Sequence, residues 1–470
     1  MELDARLRRY DAAVKATDSL IESAYAPANS SLDAIMARAE HRMERVRSLL
    51  ADLGDPFEGI PLVHIGGTSG KGSTSAFLQS ILHSAGIRSG LHTSPYLQVA
   101  TEKLQLGDRL IGPDHFADLV DEVIDAATAW TERNGERLTY GEIWMGMIGC
   151  FFRDQNVKIG VIEVGAGGRF DLTNVISPIL SVITSVGIDH VHTLGNTIEQ
   201  IAWHKAGIIK PGAPVVTSVQ DPAALPLIEA EASKIGSTVV RVRERFDFTV
   251  TAVDRHGVRW IDHATDSELS ASLPGRFQAS NGETAAIAAR ELRKLGFEIS
   301  DEAIAAGLAK ARFPGRAEVM QEHPLVLLDG AHNPQKIEAF ARDLSTLLPV
   351  GTGGRRIALL GMLDAKEHAA SIDALIPHID LLITTSPHVL AKAGLDAERM
   401  ADVARERGFT GTIISEPEPM VALERALAIA EPHDAVFVTG SLYLIGNLRG
   451  FWQPDAEIVL KRTPWPRPIR

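Results

Sequence analysis

From Leu62 to Ser73 the chain carries the sequence LVHIGGTSGKGS, an apolar run followed directly by a loop of glycine and hydroxyl residues. The run predicts a buried strand, and the segment after the loop places Phe77, Ile81 and Ala85 at helical spacing. Small residues between a strand and a helix let several backbone N–H groups point at one phosphate, while the helix end and the Lys71 ammonium add positive charge. The stretch therefore predicts nucleotide binding.

The loop departs from the strict phosphate-loop pattern, in which glycine, four residues and Gly-Lys precede Ser or Thr. That pattern requires glycine at Ile65 and a hydroxyl residue at Gly72. The hydroxyl comes one place later, at Ser73, so the loop is a variant of the pattern.

Composition bounds the class of protein. A chain of 470 residues predicts two large domains or three ordinary ones, and its hydrophobic content of 45% and charged content of 23% are those of a globular protein. The net charge of -13 argues against nonspecific nucleic-acid binding, which needs clustered Lys and Arg. Any bound anion must therefore meet a local positive site.

Cysteine content and the amino terminus predict the compartment. The single cysteine, Cys150, cannot form an internal disulfide, and its apolar neighbours indicate a buried thiol rather than a nucleophile. The first residues lack the apolar stretch of a secretory signal, and no run of about 18 apolar residues occurs. We expect a cytoplasmic protein that binds no membrane.

The periodicity of apolar residues changes along the chain. Residues 10–53 predict helix with a break at 26–31, and residues 60–240 alternate Val- and Ile-rich runs with helix-length segments, which is typical of a largely parallel sheet. Residues 243–273 predict a small hairpin insert. The long stretch 92–140 pairs helical segments with the loop-like SPYLQVATEKLQLGDR, and such irregular stretches are often substrate-covering loops. After a hinge near 314–322 the alternation restarts with PLVLL, IALLG, LLITTS, TIIS and AVFVTG.

Two strand ends in the first half carry ionisable residues. Glu163 ends the apolar run IGVIE, and Asp189-His190 follow the run LSVITSVGI. Ligands of open α/β sheets bind at the carboxyl ends of strands, so Glu163 is well placed to hold Mg²⁺, and His190 is an unusual but acceptable ligand. The alternatives are an ion-pair partner for Glu163 and a hydrogen-bonded structural role for His190.

Lys205 is predicted to face the protein interior. Thr197 to Gln200 fit a capping box, and the helix they start carries Ile198, Ile201 and Lys205 on one face. A lysine there needs a carboxylate, a phosphate or a covalent change, because an unpaired buried charge is costly. The alternative is a stem that lies on the core with its ammonium in water.

The second half carries its own candidate site. Asp329 ends the strand LVLLD, and His332 follows it, while Asn333 and Pro334 are explained as the start of a helix. Two ionisable groups at a strand end, in a unit without its own phosphate loop, predict a site that is completed only where two domains meet.

Nine strings together resemble the Mur-type ligase superfamily, and most closely folylpolyglutamate synthase/dihydrofolate synthase. They are HIGGTSGKGS, SPYL, EVGAGGRFDLTNV, TSVGIDHVHTLGNTIEQIAWHKAGIIKPG, LPGRFQASN, FPGRAE, DGAHNP, GMLDAKE and VTGSLYLIG, in this order over nearly the whole chain. The resemblance implies an N-terminal P-loop ATPase domain with a largely parallel sheet flanked by helices, plus a smaller C-terminal Rossmann-like α/β domain. The expected division is 1–58 for N-terminal helices packed on the ATPase domain, 59–315 for the ATP-binding domain and 316–470 for the ligase domain.

The resemblance also implies the reaction. ATP phosphorylates a carboxylate, and the amine of L-glutamate attacks the acyl phosphate, so dihydropteroate or a reduced folate gains an amide-linked glutamate. The small-molecule substrates are ATP, L-glutamate and the folate acid, and a monomer is expected. Protein groups contribute mainly positioning and charge neutralisation.

Site residues follow from the resemblance in the same way. Lys71 and the loop of Gly67, Thr68, Ser69, Gly70, Gly72 and Ser73 would hold the phosphates of ATP. Ser73 and Glu163 would hold one Mg²⁺, and His190 with Glu163 a second. Lys205 matches a lysine that is commonly carbamylated and then serves as a metal ligand. Asn281 would contact adenine and Arg316 the phosphates, while Asp329 and His332 would complete the nucleotide and acyl-phosphate site, with Lys71, Lys205, Asp329 and His332 as the catalytic set.

The departures from the family's strings lie largely where the folate acid is expected. They are Tyr96, Lys103, Gly141, His204 and Phe277. Two alternatives therefore stay open: a paralogue that adds an amino acid to a different carboxylate, and, from a different class, a nucleotide-dependent switch or binding protein. The latter has no evident need for Lys205, Asp329 and His332.

Overall fold

The computed structural model describes residues 2–21, 32–243, 246–390 and 392–468, and two mainly parallel sheets organise these parts of the chain. A small antiparallel sheet accompanies the first of them. We call the described residues up to 310 the first unit, residues 311–317 the linker, and the described residues from 318 onward the second unit. This α/β architecture, with a large sheet in each half of the chain, confirms the predicted fold class.

The sheet of the first unit contains eight strands in the order β4-β3-β2-β5-β1-β6-β7-β8. Their bounds are β1 Leu62–Gly66, β2 Ser89–His92, β3 Leu104–Leu106, β4 Arg109–Leu110, β5 Ile159–Glu163, β6 Leu180–Ile183, β7 Val215–Thr217 and β8 Val239–Arg241. Strands β3 and β4 are antiparallel additions at one edge, and the rest pair in parallel. Because β1 lies between β5 and β6, the carboxyl ends of these three strands adjoin one another.

Helices cover both faces of this sheet. Their bounds are α1 Glu2–Asp18, α2 Leu32–Asp52, α3 Lys71–Ser84, α4 Pro113–Asn134, α5 Tyr140–Asp154, α6 Val191–Leu194, α7 Ile198–Ala206, α8 Leu225–Lys234, α9 Phe277–Lys294 and α10 Asp301–Lys310. One core lies under α1, α2, α4 and α5, and another lies under α3, α9 and α10. The first helix begins at Glu2, earlier than the predicted residue 10, and the predicted break at 26–31 lies outside the described residues.

The predicted hairpin insert is confirmed but gains a third strand. Strands β9 Phe248–Asp254, β10 Gly257–Asp262 and β11 Ser267–Ala271 form an antiparallel sheet in the order β11-β10-β9. Trp260 is fully buried in the core beneath α9, where its indole N–H donates to Glu283 at 2.8 Å. The small sheet therefore closes one side of the first unit.

The second unit is built on six strands in the order β12-β13-β17-β14-β15-β16. The bounds are β12 Glu318–Glu322, β13 Leu325–Leu328, β14 Arg356–Leu360, β15 Leu381–Thr384, β16 Thr412–Ser415 and β17 Ala435–Thr439, with α11 Pro334–Leu347, α12 His368–Leu375, α13 Ala397–Glu406, α14 Pro419–Ile429, α15 Leu442–Arg449 and α16 Asp455–Lys461. The five predicted strands are confirmed, and only the additional edge strand β12 runs antiparallel.

The end of the chain returns to the first unit. Ile458 and Val459 of α16 lie in the core under α1 and α4. Leu110 and Arg462 exchange two hydrogen bonds, from Leu110 N–H to the Arg462 carbonyl at 3.0 Å and from Arg462 Nε to the Leu110 carbonyl at 2.9 Å. Residues 455–462 therefore pack with the first unit, although the expected division placed them in the second.

Two further expectations concern the whole chain. Among the described residues, no helix combines the length and apolar character needed to cross a membrane. Cys150 is fully buried on α5, and burial raises the pKa of its thiol to about 12, so the prediction of a buried thiol is confirmed.

Candidate active site

The loop at 66–73 is anchored to the end of the neighbouring strand β6. Thr184 Oγ1 donates to the Ser69 carbonyl at 2.6 Å, and the Thr68 N–H donates to the Ser185 carbonyl at 2.8 Å. Gly67 adopts φ 144, and a Cβ there would collide with Thr184 Oγ1. The close approach of the two strand ends thus requires glycine at this position.

Side chains from two later segments pack directly on the loop. Gly70 caps α3 with φ 86, and the Asn281 amide of α9 occupies the space where a side chain on Gly70 would stand. A Cβ on Gly72 would lie 2.7 Å from the Phe313 ring. Helix α3 begins at Lys71, so the loop N–H groups and the helix N-terminus face the same space.

Glu163 lies beside the loop because β5 pairs with β1. Its side chain is buried, Oε2 accepts the Ser94 N–H at 3.1 Å, and Oε1 lies 3.6 Å from the position of a Cβ on Gly72. Burial raises the pKa of Glu163, and the positive charge of Lys71 opposes this rise. Ser73 is also buried, on the first turn of α3. Glu163 therefore offers a buried carboxylate next to the predicted phosphate site.

His190 lies in the loop after β6, directly before α6, with a left-handed backbone, φ 53, and it is exposed. The charge of Lys71 acts on both His190 and Glu163. Among the described residues, no group of three or more His, Cys, Asp and Glu side chains is arranged to hold a metal ion. The set of Ser73, Glu163 and His190 supplies one hydroxyl, one carboxylate and one imidazole. Such a set fits Mg²⁺ when phosphate and water oxygens complete the shell.

Lys205 is buried, as the helical pattern predicts. The capping box at Thr197 and Gln200 forms, and Ile201 and Lys205 are both at most 2% exposed. The Lys205 ammonium has no hydrogen bond or ion pair within the described part of the chain. Burial lowers the pKa of Lys205 well below its usual value, and the charge of Lys71 lowers it further. Both effects favour the neutral amine over the ammonium.

In the second unit, Asp329 is held by the backbone. Its two carboxylate oxygens accept the N–H groups of Ala317 and Ala331, each at 2.9 Å. Burial raises the pKa of Asp329, and the Arg316 guanidinium opposes the rise. The charge of Glu163 also acts on Arg316, so Arg316 lies between the carboxylates of the two units.

His332 has a defined tautomer. Its Nδ1 lies 2.8 Å from the Gly330 carbonyl, and its Nε2 lies 2.9 Å from the Lys336 ammonium. A carbonyl can only accept, so Nδ1 carries the proton and Nε2 accepts from Lys336. Burial lowers the pKa of His332 well below its usual value, and the Lys336 charge acts in the same direction.

The carboxylate of Asp189 joins the two units, although no sequence motif predicts a role for it. Asp189 accepts from Lys366 Nζ at 2.9 Å and from Asn333 Nδ2 at 3.2 Å, and it lies 3.6 Å from Lys336 Nζ. Lys336 and Lys366 were likewise not predicted as site residues. A cation in the first turn of α11 opposes the helix dipole, and this signal could have identified Lys336.

A cavity opens beside Glu163 and is shared by both units. Its lining includes Ser94, Leu97 and Glu102 from the first unit, and Arg316 and Leu442 from the linker and second unit. The string SPYL therefore lies next to the candidate phosphate and metal site. A carboxylate substrate in this cavity would stand close to the residues that face the phosphates.

Of the departures, Lys103 and His204 are buried. The Lys103 ammonium lies 3.7 Å from the centre of the Trp144 ring, and burial lowers its pKa to about 7. Tyr96 is half-buried, which raises its pKa to about 12. The His204 ring contacts Phe170 and Trp203. Phe277 is the first residue of α9.

Comparison with known proteins gives matches over most of the chain. The family model for the Mur ligase middle domain matches residues 65–289, and that for the Mur ligase, glutamate ligase domain matches residues 315–442. The chain is 33% identical over 413 residues to the dihydrofolate synthase/folylpolyglutamate synthase of Bacillus subtilis, which covers 86% of this chain and 93% of that protein. It is 31% identical over 427 residues to the folylpolyglutamate synthase of Lacticaseibacillus casei, covering 87% of this chain and 94% of that protein.

Solved structures give the same result. Escherichia coli FolC in complex with DHPP and ADP superposes with a TM-score of 0.72 at 29% identity, over 90% of this chain and 98% of that chain. A bifunctional folylpolyglutamate synthase/dihydrofolate synthase with Mn, AMPPNP and L-glutamate bound gives a TM-score of 0.71 at 27% identity, over 90% of this chain and 98% of that chain.

Proposed function

The chain belongs to the folylpolyglutamate synthase/dihydrofolate synthase family of Mur ligases, and from this premise we propose that its cleft uses ATP to join L-glutamate to dihydropteroate or a reduced folate. It is an ATP-dependent ligase of the acid–amino-acid type. The observation that carries the proposal is the position of Glu163, between the phosphate loop of the first unit and Arg316 beside the second.

The cations beside the phosphate loop favour a triphosphate. Lys71, Lys336, Lys366 and Arg316 act on Glu163, Asp189 and Asp329, while the carboxylate of Asp171 acts on Lys205, whose neutral form burial favours. The loop N–H groups add a positive field next to Lys71. Lys71 with the loop of 67–73 would hold the ATP phosphates.

The reaction follows from this arrangement. The acid would bind with only its carboxylate at the cavity lined by Ser94 and Glu102, toward Glu163 and the terminal phosphate of ATP. Transfer of the phosphoryl group to the carboxylate gives an acyl phosphate and ADP, and the glutamate amine then attacks the acyl carbon and releases phosphate. Asp329 and His332, together with Arg316, would orient the acyl phosphate and the amine from the second unit. Asn281, which packs on the loop, would contact adenine.

A divalent metal ion accompanies ATP in this proposal. Structures of relatives hold ADP or AMPPNP, in one case with Mn, and this supports ATP and a divalent ion as ligands of this chain. We propose that Ser73 and Glu163 hold one Mg²⁺ and that His190 and Glu163 hold a second. Bound Mg²⁺ would neutralise phosphate charge.

Carbamylation of Lys205 belongs to the same proposal. A carbamate forms from carbon dioxide and a neutral amine, and Lys205 is buried without a partner among the described residues and has a lowered pKa. The amine nitrogen would bond to the carbon of carbon dioxide and release one proton, so an anionic oxygen ligand would replace the neutral amine. This change would favour the second metal ion.

The domain division and the oligomeric state are also proposals. Residues 1–58 would form N-terminal helices, 59–315 the ATP-binding domain and 316–470 the ligase domain, with α16 returning to the first. The closure of these domains would gate catalysis in a monomeric, cytoplasmic enzyme that binds neither nucleic acid nor membrane.

A substrate screen tests the function. Phosphate release would be measured with ATP and Mg²⁺, with and without L-glutamate, and with dihydropteroate or tetrahydrofolate as the acid, and mass spectrometry would identify the product. We expect release only when both acid and glutamate are present, and Lys71→Ala should abolish it. No release with either folate acid would reject the proposal. The departures at Lys103 and Gly141 favour testing other carboxylates in parallel, because a paralogue would respond to one of them instead.

A further inference from the structure

Lys336 lies where the two units meet, beside Asp189 and His332, without belonging to any motif of the ligase family named above. It is the third residue of α11, where Asn333 Oδ1 caps its backbone N–H at 2.9 Å. A cation in the first turn of a helix is unfavourable because it faces the positive end of the helix dipole. The local structure of α11 therefore does not explain a lysine here.

The contacts of the ammonium do explain it. Lys336 Nζ lies 2.9 Å from His332 Nε2 and 3.6 Å from Asp189 of the first unit, and the side chain is 20% exposed. Its charge acts on Glu163 and Lys205 as well. One ammonium thus contacts the second unit's histidine and the carboxylate that joins the two units.

We propose that Lys336 is a positioning residue of the ligase reaction, which holds His332 as a neutral imidazole with its proton on Nδ1 by donating to Nε2. This inference rests on the proposed function, because it assigns His332 to the acyl-phosphate site. The charged groups that face His332 are Lys336 on its own segment, Lys366 from the loop before α12, and Asp189 from the first unit. Of these, only Lys336 contacts the ring.

The hydrogen bonds show what would change without Lys336. The Gly330 carbonyl accepts from Nδ1 and fixes one side of the ring, while the ammonium fixes the other. Without the ammonium, Nε2 is free to bind a proton, and the carboxylate of Asp189 remains nearby to stabilise an imidazolium. Burial is the main cause of the lowered pKa of His332, and the Lys336 charge adds to it at pH values below the Lys336 pKa, which burial lowers to about 7.

The test uses the full-length protein and three substitutions. Lys336→Met removes charge and donor but keeps the aliphatic stem, Lys336→Gln is a second neutral form, and Lys336→Arg keeps charge and donor. Arg342→Met is the matched control, since it removes an exposed cation from the same helix. Histidine ¹⁵N NMR would report the tautomer and pKa of His332, with its signal assigned by its loss in His332→Asn.

We expect His332 to stay neutral, with its proton on Nδ1, in the wild type, in Lys336→Arg and in Arg342→Met. In Lys336→Met and Lys336→Gln its pKa should rise by about one unit or more. The acidic limb of the plot of kcat against pH should move to higher pH by the same amount. At neutral pH, kcat should fall on the order of 10- to 100-fold. The double variant with His332→Asn should be no slower than His332→Asn alone.

An unchanged titration of His332 in Lys336→Met and Lys336→Gln would overturn the inference, as would an additive loss of kcat in the double variant. A lower melting temperature without a shift of the pH profile would show a merely structural lysine and would also overturn it. If the wild type has no glutamate-dependent turnover, the proposed function fails, but the NMR titration still decides the role of Lys336.

Discussion

Replacement of Glu102 by glutamine should stabilise the protein at neutral pH and leave it unchanged at acidic pH. Glu102 is 4% exposed, and its Oε2 accepts the Leu97 N–H at 2.7 Å. Burial raises the pKa of this carboxyl from 4.5 to about 7, although the charge of Arg449 and the backbone N–H groups oppose the rise. The amide oxygen of glutamine can accept the same N–H groups without a charge to desolvate.

The size and sign of the effect follow from that pKa. The folded-state pKa of Glu102 lies about 2.5 units above the unfolded value, which corresponds to ~3 kcal/mol at ~1.4 kcal/mol per unit. Because the folded pKa is raised, the stability of the wild type is full below the unfolded pKa and is lost as the pH rises toward about 7. The variant should therefore gain on the wild type across this window and keep a constant advantage above it.

Chemical denaturation at several pH values from about 5 to 8.5 would measure the difference in the free energy of unfolding. Tryptophan fluorescence and circular dichroism must give coincident transitions, since a chain with two units can unfold in steps. Glu132→Gln, on the exposed face of α4, controls for the loss of one negative charge. A difference between wild type and Glu102→Gln that does not change with pH, or a variant less stable at high pH, would refute the reasoning.

Three further outcomes are expected. Asp189→Asn leaves Lys336 and Lys366 facing each other without a carboxylate and should cost about 3 kcal/mol, seen as a lower melting temperature together with a lower kcat; equal melting temperatures would contradict it. Cys150 should resist alkylation by iodoacetamide in the native protein and react fully in urea, because burial raises its thiol pKa to about 12; rapid native labelling, followed by mass spectrometry, would disprove its burial. Chelation of divalent ions by EDTA should stop phosphate release, and added Mg²⁺ or Mn²⁺ should restore it, since the candidate ligands are oxygen and nitrogen donors; turnover that persists in EDTA would exclude the metal role.

The sequence predicts the fold wherever a buried strand is encoded by a continuous apolar run. The runs LVHI, IGVIE and LSVI, and the five runs of the second unit, are continuous apolar segments bounded by helices, and all became parallel strands. The edge strands β4 and β12 escaped prediction because short, half-exposed strands lack this pattern. The packing of α16 on the first unit could not be predicted either. Tertiary packing decides which surface an amphipathic helix contacts, and local periodicity does not encode that choice.

The candidate site likewise contains residues that the sequence predicts and residues that it does not. Glu163 and Asp329 could be placed from the sequence because the carboxyl end of a parallel strand is a fixed position in the sheet. Asp189 lies beside such an end, but its partners come from α11 and from the loop before α12 in the other unit. No spacing rule predicts which side chains meet when two units pack. Contacts between units, such as those of Lys336 and Lys366, therefore need coordinates.

Two departures from the family's strings, Gly141 and Lys103, lie near the start of α5. At the start of α5, a Cβ on Gly141 would lie 2.9 Å from Leu172 Cδ1 and 3.6 Å from Arg42 Nη2, so these two side chains take the space that a larger residue would fill. Nearby, the Lys103 ammonium stacks on Trp144. In contrast, the phosphate loop keeps its glycines, its Lys71 and its contact with Asn281. We therefore propose that changes of shape and charge around α5 alter the choice of acid, while the fixed phosphate loop keeps the use of ATP.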